Sequence, residues 1–314
     1  MKDRLDHSIK YLLILFFVAI IIFSVVIPDT FWSISSFQSM ASQIPILGIL
    51  TLAMAIPMLS GGINLSIIAS MNACALIIAY YTTKQDNLLL GMVISFLISI
   101  IIGLVNGMLI STIRVSPILA TLGTMTLING LNILFTNGTT LSNFSPSILL
   151  IDSTTIVFIP LPIIIFIFLS IIVWGILEKT KLGKSIYFIG NNEKATFFSG
   201  INTKRVINLI YIISSVLCVF AAILMMSKLN SAKASYGDSY LLISILAAVL
   251  GGVNPDGGKG KLIGIMIALI LLQIIESGLN MLSVSSYVTK ILWGGLLIFF
   301  IYLQKNNLFG RRDG

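Results

Sequence analysis

The chain has 314 residues, of which 57% are hydrophobic and 10% charged, with a mean hydropathy of +1.06. Soluble domains carry roughly 25% charged residues, so a soluble globule is excluded and a polytopic membrane protein is expected. A net charge of +8 would point to nucleic acid in a soluble chain, but here the placement of the charges follows membrane topology and implies no nucleic-acid partner.

In chain order, Lys2, Arg4 and Lys10 precede an apolar run without a small-x-small cleavage site after Val26, which reads as an uncleaved first span. A hydrocarbon core of about 30 Å takes about 20 apolar residues per helix. The expected spans are 11–27, 43–60, 65–82, 88–112, 117–136, 154–177, 206–226, 240–253, 262–280 and 288–304. With the N-terminus inside, fifteen of the nineteen basic residues fall on the cytoplasmic side, and only Lys84, Lys228, Lys233 and Lys290 fall outside or at an outer helix end. The reverse orientation would invert that ratio, so both termini are expected in the cytoplasm. The expected fold is all-α, with about ten transmembrane helices, some broken or re-entrant. Because 240–253 is short and ends in glycine, nine to eleven spans are compatible with the pattern. The organisation is a tail (1–10), a helix block (11–177), a polar loop (178–205), a second block (206–304) and a second tail (305–314).

Two stretches interrupt the apolar blocks. Gly61-Gly62-Ile63-Asn64-Leu65-Ser66 breaks the first, and Gly251-Gly252 followed by Asn254 to Gly260 breaks the second. Broken helices at membrane depth survive where they are buried in protein or face a water-filled cavity, and paired breaks point to a transport path. Glycines that merely pack helices are the alternative. Asn106, Thr121, Thr124, Thr126, Asn129 and Asn132 in the fourth and fifth spans, and Ser214 and Ser215 in the seventh, are polar, small and neutral. Glu276 is the one acid in a span, near an outer end, where it can reach the interface. The absence of mid-membrane charge pairs counts against ion-coupled pumping, and no Gly-x-x-x-x-Gly-Lys-Ser/Thr phosphate loop is present. His7 is the only histidine, and Cys74 and Cys218 stand apart in apolar runs. No catalytic residue and no metal ligand is therefore expected, and the cysteines read as buried free thiols.

The loop from Glu178 to Arg205 carries six Lys or Arg residues against two Glu. Within it, Asn192 suits an N-cap, Glu193 the first turn and Gly200 the stop of a helix of about two turns. That helix presents Phe197 and Phe198 side by side. It is too short to be stable alone, so it either lies on the lipid surface or docks into another protein.

The chain resembles the membrane permease subunits of bacterial ATP-binding-cassette sugar importers, in the branch of ribose, xylose and galactose permeases. Gly61 to Ser66 is similar to that family's Gly-Gly-Ile-Asp-Leu-Ser. Asn106-Gly107 with Pro117 to Met125 is similar to its Asn-Gly and Pro-Phe-Ile-x-Thr-Leu-Gly-Thr. Gly190 to Ala195, ending in Ser199-Gly200-Ile201-Asn202, resembles its cytoplasmic loop. Ile245 to Gly260, followed by Ser277-Gly278-Leu279-Asn280, resembles its late glycine-rich element. Asn64 stands where the family usually has Asp, Asn129 where Arg is common, Thr196-Phe197 for Ala-Arg, and Leu241 for Glu.

The resemblance implies a non-catalytic permease in the bacterial cytoplasmic membrane, paired with a second copy or a sister permease among membrane lipid. It implies a cytoplasmic ATPase that uses the ATP, so this chain binds no cofactor, and an extracytoplasmic solute-binding protein that delivers the substrate. Asn192, Glu193, Ala195, Phe197, Phe198 and Gly200 would couple to the ATPase. Gly61, Gly62, Asn64, Ser66, Asn106, Thr121, Thr124, Gly251 and Gly252 would line the path, whose small polar groups suit a monosaccharide or a similar neutral polyhydroxylated solute. A self-contained ion-coupled secondary transporter is the alternative, and an intramembrane enzyme lacks a nucleophile or metal cluster.

Overall fold

The computed structural model describes residues 2–85, 87–144, 146–156 and 159–305, with side chains from residue 12 to 302. The basic side chains counted at the two ends (Lys2, Arg4, Lys10, Lys305, Arg311 and Arg312) lie outside the described set, as does the tail 306–314. The described chain is helical almost throughout. Its elements are α1 (Lys2–Val26), α2 (Pro28–Phe31), α3 (Ile34–Leu59), α4 (Ile67–Gln85), α5 (Leu88–Ser111), α6 (Pro117–Thr136), α7 (Pro146–Ser153), α8 (Leu161–Lys179), α9 (Lys181–Phe198), α10 (Thr203–Leu229), α11 (Asp238–Leu250), α12 (Leu262–Met281) and α13 (Ser286–Lys305). Two short antiparallel ladders are the only strands among the described residues: Leu141–Ser142 with Ser231–Ala232, and Thr155–Ile156 with Ile159–Pro160.

Each of the ten expected spans overlaps a helix, although the start of 154–177 holds the Thr155–Ile156 and Ile159–Pro160 ladder and α8 begins only at Leu161. Among the described residues, six helices are long and apolar enough to cross a membrane on their own: α3, α5, α6, α8, α10 and α12. The all-α polytopic membrane architecture follows. At 13 residues, α11 reaches only about 20 Å, short of the hydrocarbon thickness.

Helix α3 is the axis of the molecule. Every residue from Pro45 to Leu59 is buried, and a helix that is apolar all round belongs in the interior. It packs against α10, α11, α8 and α12, while α10 also packs on α5 and α4. By contrast, α5, α6 and α8 bury only 28%, 22% and 33% of their most apolar stretch, so their outer faces are left to lipid or to another chain. Cys74 and Cys218 are free and buried, as their surroundings imply.

Three expectations about loops are corrected. The expected outer loop 28–42 is mostly helix: α3 starts at Ile34, capped by Ser33, whose hydroxyl accepts from the Ser36 N–H at 3.2 Å. Its first turns carry Ser35, Ser36, Gln38, Ser39, Ser42 and Gln43, and a hydropathy criterion discards such a polar start although its backbone bonds are ordinary. Likewise 146–153 of the loop 137–153 is helical. Within 178–205, a further helical piece from Lys181 precedes the expected short helix. Its lysines hide an inner face made by Gly183, Ser185, Ile186 and Ile189, all buried.

Candidate functional site at the meeting of two chain breaks

The first break is held open by a closed set of buried polar side chains. Between α3 and α4 the backbone leaves the helix at Ser60, turns at Gly61 with φ +82°, and resumes at Ile67. The Asn64 side chain donates to Ser214 Oγ of α10 at 2.9 Å, and its carbonyl oxygen accepts from the Ser66 N–H (3.1 Å) and hydroxyl (2.7 Å). Ser214 in turn donates to the Ala53 carbonyl of α3 at 2.6 Å, and Asn106 of α5 donates to Ser66 Oγ at 2.9 Å. From α6, Thr121 Oγ1 accepts from the Leu65 N–H at 3.1 Å and donates to the carbonyls of Ile63 (3.0 Å) and Pro117 (2.8 Å). Backbone groups freed by a helix break need such partners where water is excluded. All four side chains, Asn64, Ser66, Asn106 and Thr121, are wholly buried. One acceptor is left over: Asn106 Oδ1 is buried without a hydrogen-bond partner. Thr124, half-buried, bonds only the Ala120 carbonyl of its own helix, at 2.9 Å.

This difference gives a direct expectation. Thr121→Val removes the side-chain hydrogen bonds to the Ile63 carbonyl and the Leu65 N–H and lowers stability by about 1–3 kcal/mol, whereas Thr124→Val costs less than about 1 kcal/mol. A thermal unfolding series of the two variants in detergent measures the contrast.

The second break starts at the end of α11. Gly251 packs on the first turn of α12 so closely that a Cβ would stand 2.6 Å from Ile265 backbone atoms, while Gly252, at φ +84°, has open space around it. The chain then folds back through Asn254–Gly260, closed by the Asn254 N–H on the Lys259 carbonyl at 2.9 Å.

The two breaks meet under the polar segment. The Gly258 N–H donates to the Leu59 carbonyl, the last residue of α3, at 2.9 Å. Gly190 of α9 is wedged between the same two groups: a Cβ there would lie 2.2 Å from Leu59 O and 2.3 Å from Gly258 N. Gly257, at φ +92°, touches both Gly61 and Gly190, and its own Cβ would stand 2.6 Å from Gly61 N. Tyr187, one turn earlier in α9, donates to the Gly260 carbonyl at 3.2 Å. Burial, aided by the nearby Glu178 carboxylate, pushes the Tyr187 phenol up to about 12, so it stays protonated and keeps donating.

Two residues beyond Gly190, α9 bends. Asn192 is extended (φ −163°, ψ 102°), and its side chain accepts from the Ala195 N–H at 2.9 Å, starting a second helical piece that ends before Gly200 at φ +85°. Thr196 faces inward and is buried, and Ala195 is exposed. Phe197 and Phe198 project outward, 59% and 85% exposed, with their rings edge to face at 5.8 Å. Glu193 forms an ion pair with Arg114 of the α5–α6 connection, and Arg114 sits in the left-handed region at φ +67°, a conformation that costs a non-glycine residue free energy and persists where the surroundings fix it. A cavity of about 430 Å³ lies inside this junction, lined among others by Gly61, Arg114, Pro117, Glu193, Tyr211 and Asp256. The Tyr211 hydroxyl is buried without a partner beside Gly62, where a Cβ would come within 2.5 Å of it.

The expected residues thus fall into two groups. Asn64, Ser66, Asn106 and Thr121 form the brace of the first break, while Asn192, Glu193, Ala195, Phe197, Phe198 and Gly200 form a projecting short helix. Gly61 and Gly62 join the two groups, and Gly251 and Gly252 lie at the head of the second break. Arg114, Tyr187, Gly190 and Tyr211 complete the junction without having been singled out from sequence. Their only advance signals were the basic count for Arg114 and the motif match at Gly190.

The family model described as branched-chain amino acid transport system / permease component matches residues 36–301. The chain is 31% identical to the ribose import permease protein RbsC of Bacillus subtilis over 291 residues, 92% of this chain and 90% of that one. It is 31% identical to the Escherichia coli protein of the same name over 279 residues, 88% of this chain and 87% of that one. It is 30% identical to the autoinducer 2 import system permease protein LsrD of Photorhabdus laumondii, covering 80% of this chain and 78% of the relative. No solved structure matches it significantly.

Proposed function

Since this chain belongs to the family of branched-chain amino acid transport system permease components, we propose that it is the membrane subunit of an ATP-driven importer, forming the path for a monosaccharide or similar neutral polyhydroxylated solute. It is a multi-pass protein of the bacterial cytoplasmic membrane and does no covalent chemistry itself. The relatives are named as import permeases for ribose and autoinducer 2, so the ion-coupled alternative is not favoured. We assign it a single transmembrane domain with 178–205 as the coupling segment, ten crossings or half-crossings, and both termini in the cytoplasm, supported by the charge asymmetry of the loops.

The observation that carries the mechanism is the junction: α9, which carries the projecting piece, is packed at Gly190 against the backbone of both chain breaks. In this reading the short helix from Glu193 to Phe198 sits in a groove of a cytoplasmic ATPase. A displacement there is carried through the bend at Asn192 and the Gly190 contact to the end of α3 and to the Asn254–Gly260 loop. The brace of Asn64, Ser66, Asn106 and Thr121 borders the path, with Thr124, Gly251 and Gly252 further along it. In this conformation the brace is closed on itself, and the leftover acceptor on Asn106 is suited to a solute hydroxyl once α6 separates from the break. An extracytoplasmic binding protein delivers the solute, and a second copy or sister permease completes the membrane part. ATP is bound and hydrolysed by the ATPase.

Gentle extraction of the tagged chain from its native membrane tests the assembly. The expected result is co-purification of an ATPase and a solute-binding protein, and the chain alone with ATP-independent uptake in liposomes would overturn it. The Arg114–Glu193 pair supplies a second test. As a partly exposed pair it contributes at most about 1 kcal/mol to folding, so Arg114→Glu leaves the melting temperature nearly unchanged. Uptake in vesicles falls several-fold, and the double exchange Arg114→Glu/Glu193→Arg restores it.

A further inference from the structure

We infer that the groove between α8 and the start of α12 is a binding site for an anionic phospholipid, whose acyl chain lies in the groove and whose phosphodiester meets the lysines at its rim. The groove has a volume of about 230 Å³ and is lined by Ile167, Ile171, Trp174, Leu262, Ile263, Met266 and Ser170. Ser170 donates its hydroxyl back to the Phe166 carbonyl at 2.8 Å and stands 4.0 Å from Met266 Sδ, so apart from the indole N–H of Trp174 the groove offers carbon surface. Ile167, Ile171 and Ile263 face outward from the helix bundle, where they are exposed.

What marks the site off from ordinary lipid-facing surface is its rim. Trp174 lies in the last turns of α8, and Lys179 at the end of that helix places its ammonium 5.3 Å from the Trp174 ring centroid. On the other wall, Lys261 directly precedes Leu262, with Lys259 two residues earlier and exposed. Both rims lie at the same end of the bundle as the basic segment 178–205, because α8 runs into that segment and the Asn254–Gly260 loop packs against Gly190. Two carboxylates are near in sequence. Glu178 acts on the Tyr187 phenol of α9, and Asp256 lines the other cavity, inside the junction.

A tryptophan at headgroup depth, lysines above it and an apolar cleft below match both parts of an anionic lipid. A zwitterionic lipid fills the cleft equally well but gains nothing at the lysines. The occupant is therefore a phospholipid with net negative charge.

The test is native mass spectrometry of the chain, extracted in mild detergent and titrated with phosphatidylglycerol or phosphatidylcholine of the same acyl length. The expected result is about tenfold stronger retention of phosphatidylglycerol. Lys179→Gln/Lys261→Gln abolishes the preference while leaving phosphatidylcholine binding unchanged, and Ile263→Trp, which fills the cleft, lowers both. Equal retention of the two lipids by the wild type, or a preference that survives the double lysine variant, would overturn the inference. So would an intermolecular disulfide formed by Ile263→Cys in native membranes, because it would give the groove to a second copy.

Discussion

Gly190→Ala abolishes ATP-dependent uptake while the chain still inserts into the membrane. The added methyl would lie 2.2 Å from the Leu59 carbonyl oxygen and 2.3 Å from the Gly258 nitrogen. Both are backbone atoms, so no side chain can swing aside. Relief requires opening the 2.9 Å hydrogen bond between those two groups and moving α9 away from both breaks. Overpacking and a buried unmade hydrogen bond each cost about 1–3 kcal/mol. A loss of about 3 kcal/mol in the transport-competent arrangement corresponds to a factor of about a hundred in uptake. Gly175→Ala is the control: it stands in α8 with nothing within 4 Å of a new Cβ and leaves uptake unchanged. Uptake in vesicles, normalised to inserted protein, reads both. Full transport by the Gly190 variant would mean that the junction does not carry the motion.

The second large effect is expected at the projecting helix. Phe197→Asp/Phe198→Asp eliminates ATPase retention and uptake, with little change in the thermal stability of the isolated chain. The two rings are 59% and 85% exposed, so the chain gains little folding free energy from them, and surface changes of this kind fall within about 0.5 kcal/mol. In a docking groove, by contrast, a buried aromatic anchor is typically worth about 2–4 kcal/mol, or about thirty- to a thousandfold in affinity. The milder variant Phe198→Lys separates docking from the lipid-surface reading. A lysine is welcome on an anionic membrane surface but not in an apolar groove on a protein. Loss of the ATPase from pull-downs of Phe198→Lys supports docking, and undiminished retention overturns it.

The cap of that helix was legible because it is local. Asn192 bonds an amide three residues away, and Gly200 adopts a positive φ where an L side chain is disfavoured; such preferences are written in neighbouring residues. The spans were legible for a similar reason, since a run of apolar side chains needs no knowledge of its neighbours to prefer hydrocarbon. Where a helix departs from that rule, legibility failed. The polar start of α3 and the lysine-rich first half of α9 are helices stabilised by capping and by a partly buried face, and neither has the hydropathy of a span.

The sequence by itself determined that this chain lives in a membrane, where its helices break, and that a short capped helix stands between its two blocks. Those properties follow from composition, local backbone preference and the cost of charge in hydrocarbon. Only the tertiary structure decided that Gly61, Gly190 and Gly257 touch, that Tyr211 closes over Gly62, that Asn64 reaches Ser214 and Asn106 reaches Ser66, and that Thr121 holds the backbone of Ile63 and Leu65. Each of those contacts joins segments far apart in the chain. A glycine or a small polar residue in a span reads the same whether it packs a helix, braces a break or meets another backbone, until the helices around it are in place.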